Sequence, residues 1–226
     1  MRPNIAIDGP AGAGKSTIAR KLAEKLGYLY IDTGAMYRAL TYCALKKGVN
    51  INDSEKLTDL AERVDIFLSA DEDGQLRVYC GGEDVTPHLR DPMVSQCVSR
   101  VAEVPGVRHR MVELQRKMAS AGGVIMDGRD IGTYVLPDAQ LKFFITADLE
   151  ERARRRLKDL EKQGYEADFE EVKKEIAMRD VKDSSRALAP LKKAEDAVLI
   201  DTTNLTVDEV LQLIFKVSRE RIKNDV

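Results

Sequence analysis

The segment from Gly9 to Ser16 constrains this chain more than any other, because it reads G-x-x-x-x-G-K-S. An apolar run precedes it, and Ile18 and Leu22 follow at helical spacing. A glycine-rich turn between a strand and a helix lets backbone N–H groups converge on phosphate oxygens. The sequence therefore predicts an ATP-phosphate loop made of Gly9, Pro10, Ala11, Gly12, Ala13, Gly14, Lys15, Ser16 and Thr17. Lys15 would reach the β- and γ-phosphates as a catalytic cation, and Ser16 would ligate Mg²⁺ as the cofactor of ATP.

Five short, almost continuously apolar runs indicate strands that are covered on both faces, as in a parallel sheet. They span residues 4–8, 28–32, 123–127, 141–146 and 197–201, and helical patterns lie between them. This alternation predicts an α/β fold with three layers and a five-stranded parallel sheet. Residues 64–86 break the pattern with two strand-like runs around a turn at residues 71–74, which indicates a small antiparallel insert. We expect one domain over residues 1–226.

Composition excludes several classes of protein. The net charge of −2 offers no basic field for nucleic acid. No apolar run approaches the roughly 20 residues that span a bilayer, and the first apolar stretch is interrupted at Asp8, unlike a signal peptide. Cys43, Cys80 and Cys97 form no CxxC pair, so we expect three thiols and a cytoplasmic location. Nothing in the sequence demands a dimer, and we expect a monomer.

A phosphate loop does not by itself name a reaction. The guanine-reading motif N-K-x-D is missing, and the third predicted strand ends in Asp127 followed by Gly128, where many ATPases have a water-activating Glu. This favours transfer to an organic acceptor over hydrolysis. Asp127 is a candidate for holding Mg²⁺ through water. Position alone leaves Arg129 and Asp130 open, either as acceptor-binding residues at the carboxyl edge of the sheet or as a surface ion pair.

Residues 150–186 are helical in pattern, highly charged and rich in arginine. The arginines Arg152, Arg154, Arg155 and Arg156 fit a helical lid that closes over the phosphates, and equally fit ordinary i,i+4 pairing with acidic neighbours. We take the lid interpretation, with Arg155 as its catalytic candidate. Residues 201–204 end the last strand and are predicted to pass near the adenine.

Five passages together resemble bacterial cytidylate kinase. They are Ile5 to Pro10, Asp32 to Arg38, Asp127 to Thr133, Arg179-Asp180, and Ser185 to Leu191, in that family's order and across almost the whole chain. The resemblance implies ATP-dependent phosphorylation of CMP and dCMP in pyrimidine nucleotide metabolism. It also implies a nucleoside-monophosphate-binding region at 33–110, with the insert inside it, and a lid at 150–186.

The resemblance further implies roles for individual residues. Ser99, Arg108 and Asp130 would read the cytosine. Arg38, Arg129 and Arg186 would hold the acceptor phosphate, with Arg129 and Arg186 also catalytic. Arg179 and Asp183 would contact the sugar, and Thr33, where the family often has Ser, keeps a hydroxyl at the substrate. The alternatives that stay open are a kinase for another small acceptor, such as UMP or shikimate, and an ATP-binding switch.

Overall fold

A computed structural model describes residues 2–71, 75–162 and 164–224. The strands are β1 (Ile5–Asp8), β2 (Leu29–Asp32), β3 (Ile66–Ala70), β4 (Leu76–Cys80), β5 (Glu83–Asp84), β6 (Val124–Gly128), β7 (Leu141–Thr146) and β8 (Val198–Asp201). The α-helices are α1 (Lys15–Leu26), α2 (Thr33–Lys46), α3 (Ser54–Arg63), α4 (Pro92–Glu103), α5 (Pro105–Ala119), α6 (Leu149–Lys162), α7 (Phe169–Ser185) and α8 (Val207–Asn224). A 3-10 helix covers Thr86–His88, and a π-helix covers Ile131–Val135.

The chain divides into two compact units. One comprises Met1–Tyr30 with Ala121–Val226, and the other comprises Ile31–Ser120. The boundaries expected from the sequence, one domain over 1–226 with a nucleotide-binding region at 33–110, stay predictions.

A five-stranded parallel sheet organises the first unit, with the order β2-β6-β1-β7-β8. In its central register Ile7 lies opposite Asp127 on one side and Phe143 on the other. The predicted α/β class and the five parallel strands are confirmed, and each observed strand begins and ends within one residue of its predicted bounds. The prediction succeeds because strands buried on both faces have to be apolar along their whole length.

One hydrophobic core fixes the helices that lie against this sheet. Ile18 and Leu22 from α1 pack with Ile214 from α8 against Phe143 of β7. Each fully buried aliphatic side chain contributes on the order of 2 kcal/mol to stability. Because α1 begins at Lys15, within the predicted phosphate loop, this packing also holds the end of that loop in place.

Local caps are visible at the ends of three helices. Gly27 closes α1 in the left-handed conformation, with φ of 62°. The Asp168 carboxylate accepts N–H bonds from the first turn of α7. Thr206 and Glu209 exchange bonds as a capping box at the start of α8.

The segment predicted as a charged helical lid forms two helices, α6 and α7. Ala153 of α6 packs with Val172 and Ile176 of α7 in a small core of their own. The two helices also share an exposed ion pair between Lys173 and Glu150.

The second unit contains α2 to α5 and a three-stranded antiparallel sheet in the order β3-β4-β5. The predicted insert is confirmed, with Phe67 opposite Tyr79 in the β3–β4 pair. The third strand, β5, went unpredicted because two residues are too few for a periodic signal. Residues 72–74 of the predicted turn lie outside the described residues.

The expectation of three separate thiols is wrong for two of the cysteines. Cys43 of α2 and Cys80 of β4 are paired as a disulfide, whereas Cys97 is free. The two paired residues are 37 positions apart in sequence, and only the packing of α2 on β4 brings them together.

Within the described ranges, no helix combines the length and apolar character needed to cross a membrane.

Gly9 and Gly27 provide a test of how tightly the end of β1 is packed. Gly9 has φ of 147°, and a Cβ there would collide with the carbonyl oxygen of Ile145 on β7. Gly27 also has positive φ, but a Cβ there would meet open space. We expect Gly27→Ala to cost about 1 kcal/mol of unfolding free energy, and Gly9→Ala to cost about 3 kcal/mol or more because overpacking is added. Urea denaturation measures both, and equal losses would contradict the close packing at Gly9.

Candidate active site

The loop between β1 and α1 has the backbone geometry of an anion-binding turn. Gly9, Gly12 and Gly14 all have positive φ, which glycine adopts at little cost. Gly14 is the N-cap of α1, and no side chain caps the N–H groups of the first turn. These N–H groups and the positive end of the helix dipole therefore face a position suited to a phosphate.

Lys15 is buried at the start of α1, and its Nζ donates a hydrogen bond of 2.7 Å to the carbonyl oxygen of Pro10. The pKa of Lys15 is lowered to about 7, chiefly by burial and also by the charges of Arg129 and Arg179, against the opposing effect of Asp127. A polyphosphate beside this ammonium would favour its charged form.

Ser16 and Asp127 form a pair of hard oxygen ligands. The Ser16 hydroxyl donates to Asp127 Oδ2 at 2.8 Å, and the Tyr30 hydroxyl donates to Oδ1 at 2.9 Å. No group of three or more His, Cys, Asp or Glu side chains in the described part of the chain could hold a metal by itself. Mg²⁺ in kinases needs no such group, because it is held by one or two protein oxygens together with phosphates and water. The residues present therefore fit Mg²⁺ bound with a nucleotide.

Asp8 connects the end of β1 to the segment that follows β6. Its carboxylate accepts N–H bonds from Ile131 at 2.8 Å and from Gly132 at 2.7 Å. Burial raises the pKa of Asp8 to about 7, although the two N–H bonds and Lys15 favour its ionised form. Asp8 thus anchors the start of the π-helix, directly after Arg129 and Asp130.

Two ion pairs bring together four of the predicted acceptor residues of the first unit. Arg129 Nε donates to Asp183 Oδ2 at 2.8 Å, and Arg186 Nη2 lies 4.0 Å from Asp130 Oδ1. Burial raises the pKa of Asp183, but the charges of Arg129, Arg179 and Arg186 outweigh it and hold that pKa below its ordinary value.

Arg186 is also held by its own chain. Its Nη2 donates to the carbonyl oxygen of Ala189 at 2.9 Å, and Ala189 has a positive φ of 52°. A left-handed alanine costs roughly 1–2 kcal/mol, so the fold compensates for a strained turn that keeps this guanidinium in place.

Arg155 contacts the loop that follows β8. Its guanidinium donates to the Thr202 hydroxyl at 3.0 Å and to the Thr202 carbonyl at 2.7 Å, and it also pairs with Glu151. The Thr202 hydroxyl in turn lies 3.2 Å from the carbonyl oxygen of Ala13 in the phosphate loop. The predicted lid arginine therefore lies beside the loop at residues 201–204 that the sequence analysis assigned to the adenine.

The remaining predicted acceptor residues belong to the second unit. Thr33 is the buried first residue of α2, and Arg38 one turn later pairs with Asp32 at 3.3 Å. Ser99 is half-buried on α4. Arg108 is fully buried on α5, where it donates to the Ala102 carbonyl and lies over the ring of Tyr37.

Sequence reasoning missed several residues that shape this site. Asp8, Tyr30 and Thr202 make the contacts described above, and the sequence assigned none of these contacts, although Asp8 lies in the passage Ile5 to Pro10 and Thr202 in the segment 201–204. Asp8 carried the one available signal, a charged residue at the end of an otherwise apolar strand.

A phosphate loop after the first strand of a parallel sheet, with Ser16 and Asp127 paired beside it, is the arrangement of a P-loop kinase. The family model for cytidylate kinase matches residues 5–220. The cytidylate kinase of Pelotomaculum thermopropionicum is 56% identical over 212 residues, which cover 94% of each chain. That of Geobacillus sp. strain WCH70 is 55% identical over 224 residues, covering 98% of this chain and all of the relative.

The chain belongs to the cytidylate kinase family. Among solved structures, an uncharacterized protein from Eubacterium ventriosum superposes with a TM-score of 0.51 at 16% identity, covering 96% of this chain and 98% of the other. That likeness concerns the fold alone.

Asp8 makes the stability of the protein depend on pH in a defined direction. The unfolded chain loses this proton near pH 3.8, whereas the folded chain keeps it until about 7. Between these values the folded state binds more protons, so unfolding free energy falls as pH rises, by up to about 1.4 kcal/mol per pH unit, and levels off above pH 7. Asp8→Asn has no carboxyl group to titrate here. The unfolding free energy of the variant should therefore rise relative to that of the wild type as pH rises toward 7. Urea denaturation from about pH 5 to about pH 8 tests this, and parallel profiles would refute it.

Proposed function

We propose that this enzyme transfers the γ-phosphoryl group of ATP to CMP, and also to dCMP, in pyrimidine nucleotide metabolism. The observation that carries the proposal is the buried Asp130 carboxylate beside Arg186. Cytosine presents an N4 amino donor that a carboxylate accepts, and a guanidinium next to it suits a phosphate. The names of the relatives agree with this acceptor.

The reaction needs no protein nucleophile. An oxygen of the acceptor phosphate attacks the γ-phosphorus in line, a new P–O bond forms, and the bond to the ADP leaving oxygen breaks. Catalysis then consists of positioning and of neutralising negative charge that spreads over the transferred group. Ser16 and Asp127 would hold Mg²⁺, which supplies positive charge at the phosphates when bound.

The cationic residues have separate tasks in this proposal. The loop N–H groups and Lys15 bind the donor phosphates, while Arg129 and Arg186 hold the acceptor phosphate. Arg155 carries positive charge from the lid, and Arg179 with Asp183 contacts the sugar. The resemblance to cytidylate kinase also assigns residues of the second unit to acceptor binding, namely Thr33, Arg38, Ser99 and Arg108. Helices α6 and α7 would exclude water and so limit the loss of ATP to hydrolysis.

The proposal includes a monomeric enzyme in the cytoplasm, since both substrates are cytoplasmic metabolites.

A coupled assay of ADP release with ATP and Mg²⁺ tests the acceptor. We expect turnover with CMP and dCMP, and little with UMP, AMP or shikimate. A preference for UMP or shikimate would show that CMP is not the acceptor. ATP turnover that is independent of every added acceptor would favour an ATP-binding switch.

Lys15→Ala should lower kcat by at least about 100-fold, because a preorganised charge at the transferred group is lost. Circular dichroism and thermal unfolding serve as the control, since the variant should stay folded. A folded variant with nearly normal turnover would remove Lys15 from the donor site.

Asp130→Asn tests how the base is recognised. The amide keeps the size of the side chain but loses the negative charge and replaces one of the two acceptor oxygens with a donor, so kcat/KM for CMP should fall by about 100-fold or more. Uracil presents O4, which accepts from the new amide, so kcat/KM for UMP should stay the same or rise. Equal losses with both substrates would exclude Asp130 from base recognition.

A further inference from the structure

Arg152 does not behave as one of several interchangeable lid arginines. It is buried on α6, and its Nε donates to the carbonyl oxygen of Ala147 at 2.8 Å. Its Nη1 donates to the carbonyl oxygen of Ala11 at 3.1 Å and to Asp180 Oδ2 at 2.5 Å. The guanidinium is thus committed to the end of β7, the phosphate loop and α7, and its contacts are with the protein itself.

Asp180 completes the contact from the other helix. Its Oδ2 pairs with Arg152, while its Oδ1 accepts a hydrogen bond of 3.3 Å from the backbone N–H of Ala11. The N–H and the C=O of a single loop residue are therefore both held, one by Asp180 on α7 and the other by Arg152 on α6.

The backbone of α6 also lies directly against the loop at this point. A Cβ added to Gly12 would lie 3.0 Å from the carbonyl oxygen of Arg152, and Gly12 has a positive φ of 75°. The next loop residue after Ala11 thus has no room for a side chain on the side that faces α6.

A glycine-rich loop has few side chains of its own to fix its shape, and glycine loses more backbone freedom on ordering than any other residue. Binding of phosphate requires the loop N–H groups to be aligned before the ligand arrives, because misplacement by about 1 Å can cost about 100-fold in rate. A buried, mutually compensated ion pair on Ala11 supplies that alignment, and its removal leaves a buried group without its partner.

We propose that Arg152 and Asp180 are positioning residues that hold the phosphate loop at Ala11 and connect its shape to helices α6 and α7. The inference rests on the proposed role of this loop in binding ATP. In the Arg179-Asp180 motif, Arg179 would then contact the sugar, while Asp180 holds the phosphate loop. It also removes Arg152 from the set of arginines that face the transferred group.

Arg152→Lys and Asp180→Asn test the inference in the full-length enzyme. Lysine keeps the positive charge but cannot bond Ala147, Ala11 and Asp180 from one planar group. Asparagine keeps an acceptor for the Ala11 N–H but loses the ion pair. Lys173→Ala is the matched control, because the Lys173–Glu150 pair joins the same two helices at 3.1 Å and is exposed.

We expect each positioning variant to lower kcat/KM for ATP by about 10- to 100-fold. KM for CMP should change by less than about 2-fold, and the Lys173→Ala control should match the wild type within the same margin. The double variant should lose little more than the worse single variant, because both changes break the same ion pair at Ala11. Isothermal titration with Mg-ATP should show the same loss of affinity in the absence of any acceptor.

Two results would overturn the inference. One is folded variants that bind and use ATP like the wild type. The other is variants whose ATP and CMP parameters fall together, in proportion to a fall in thermal unfolding temperature, which would indicate general destabilisation. If Arg152→Lys does not fold, Asp180→Asn alone decides between these results.

The titration keeps this test separate from the proposed function. A wild type that binds Mg-ATP but does not phosphorylate CMP would refute the acceptor, while the ATP affinities of the variants would still decide the inference.

Discussion

Burial of charge at the carboxyl end of the sheet is the constraint on which the rest of the site depends. Lys15 and Asp8 are both almost inaccessible, and burial moves the pKa of each to about 7. An isolated ion is costly in such a place, so the fold surrounds these groups with partners. The N–H groups of residues 131 and 132 donate hydrogen bonds to Asp8, and Lys15 donates one to the backbone carbonyl of Pro10. A bound polyphosphate would add negative charge to a site in which the charges of Arg129 and Arg179 already act on Lys15.

Local sequence pattern was sufficient to predict the sheet and the phosphate loop, because each depends on residues that are close in sequence. Gly27 ends α1 and Thr206 caps α8 for reasons that a window of a few residues contains. The contacts that shape the site are different in kind. Thr202 meets Ala13 across 189 positions, and Asp180 meets Ala11 across 169 positions. No propensity or spacing encodes such pairs, and only the packing of the core brings them together.

The arginines of α6 show how the same composition can serve separate tasks. Arg154 is exposed and pairs with Glu150 one turn away, which fits the ordinary i,i+4 interpretation. Arg155 contacts Thr202, and Arg152 is buried against the phosphate loop. The sequence shows four arginines within five positions and cannot separate them, because helical rotation of about 100° per residue directs neighbouring side chains to different surroundings. Of these four lid candidates, Arg154 is a surface residue, whereas Arg152 and Arg155 make specific contacts with other segments.

The environment of Asp127 gives a physical reason for preferring transfer over hydrolysis. An enzyme that hydrolyses ATP needs a carboxylate or equivalent group that can orient and activate water. In this chain the residue after Asp127 is Gly128, which has no side chain for that purpose. Both oxygens of Asp127 are themselves engaged, one by Ser16 and the other by Tyr30. A carboxylate that already accepts hydrogen bonds from two hydroxyl groups is poorly suited to removing a proton from water. The nucleophile must then come with the acceptor, and a phosphate oxygen, already ionised at neutral pH, needs no base.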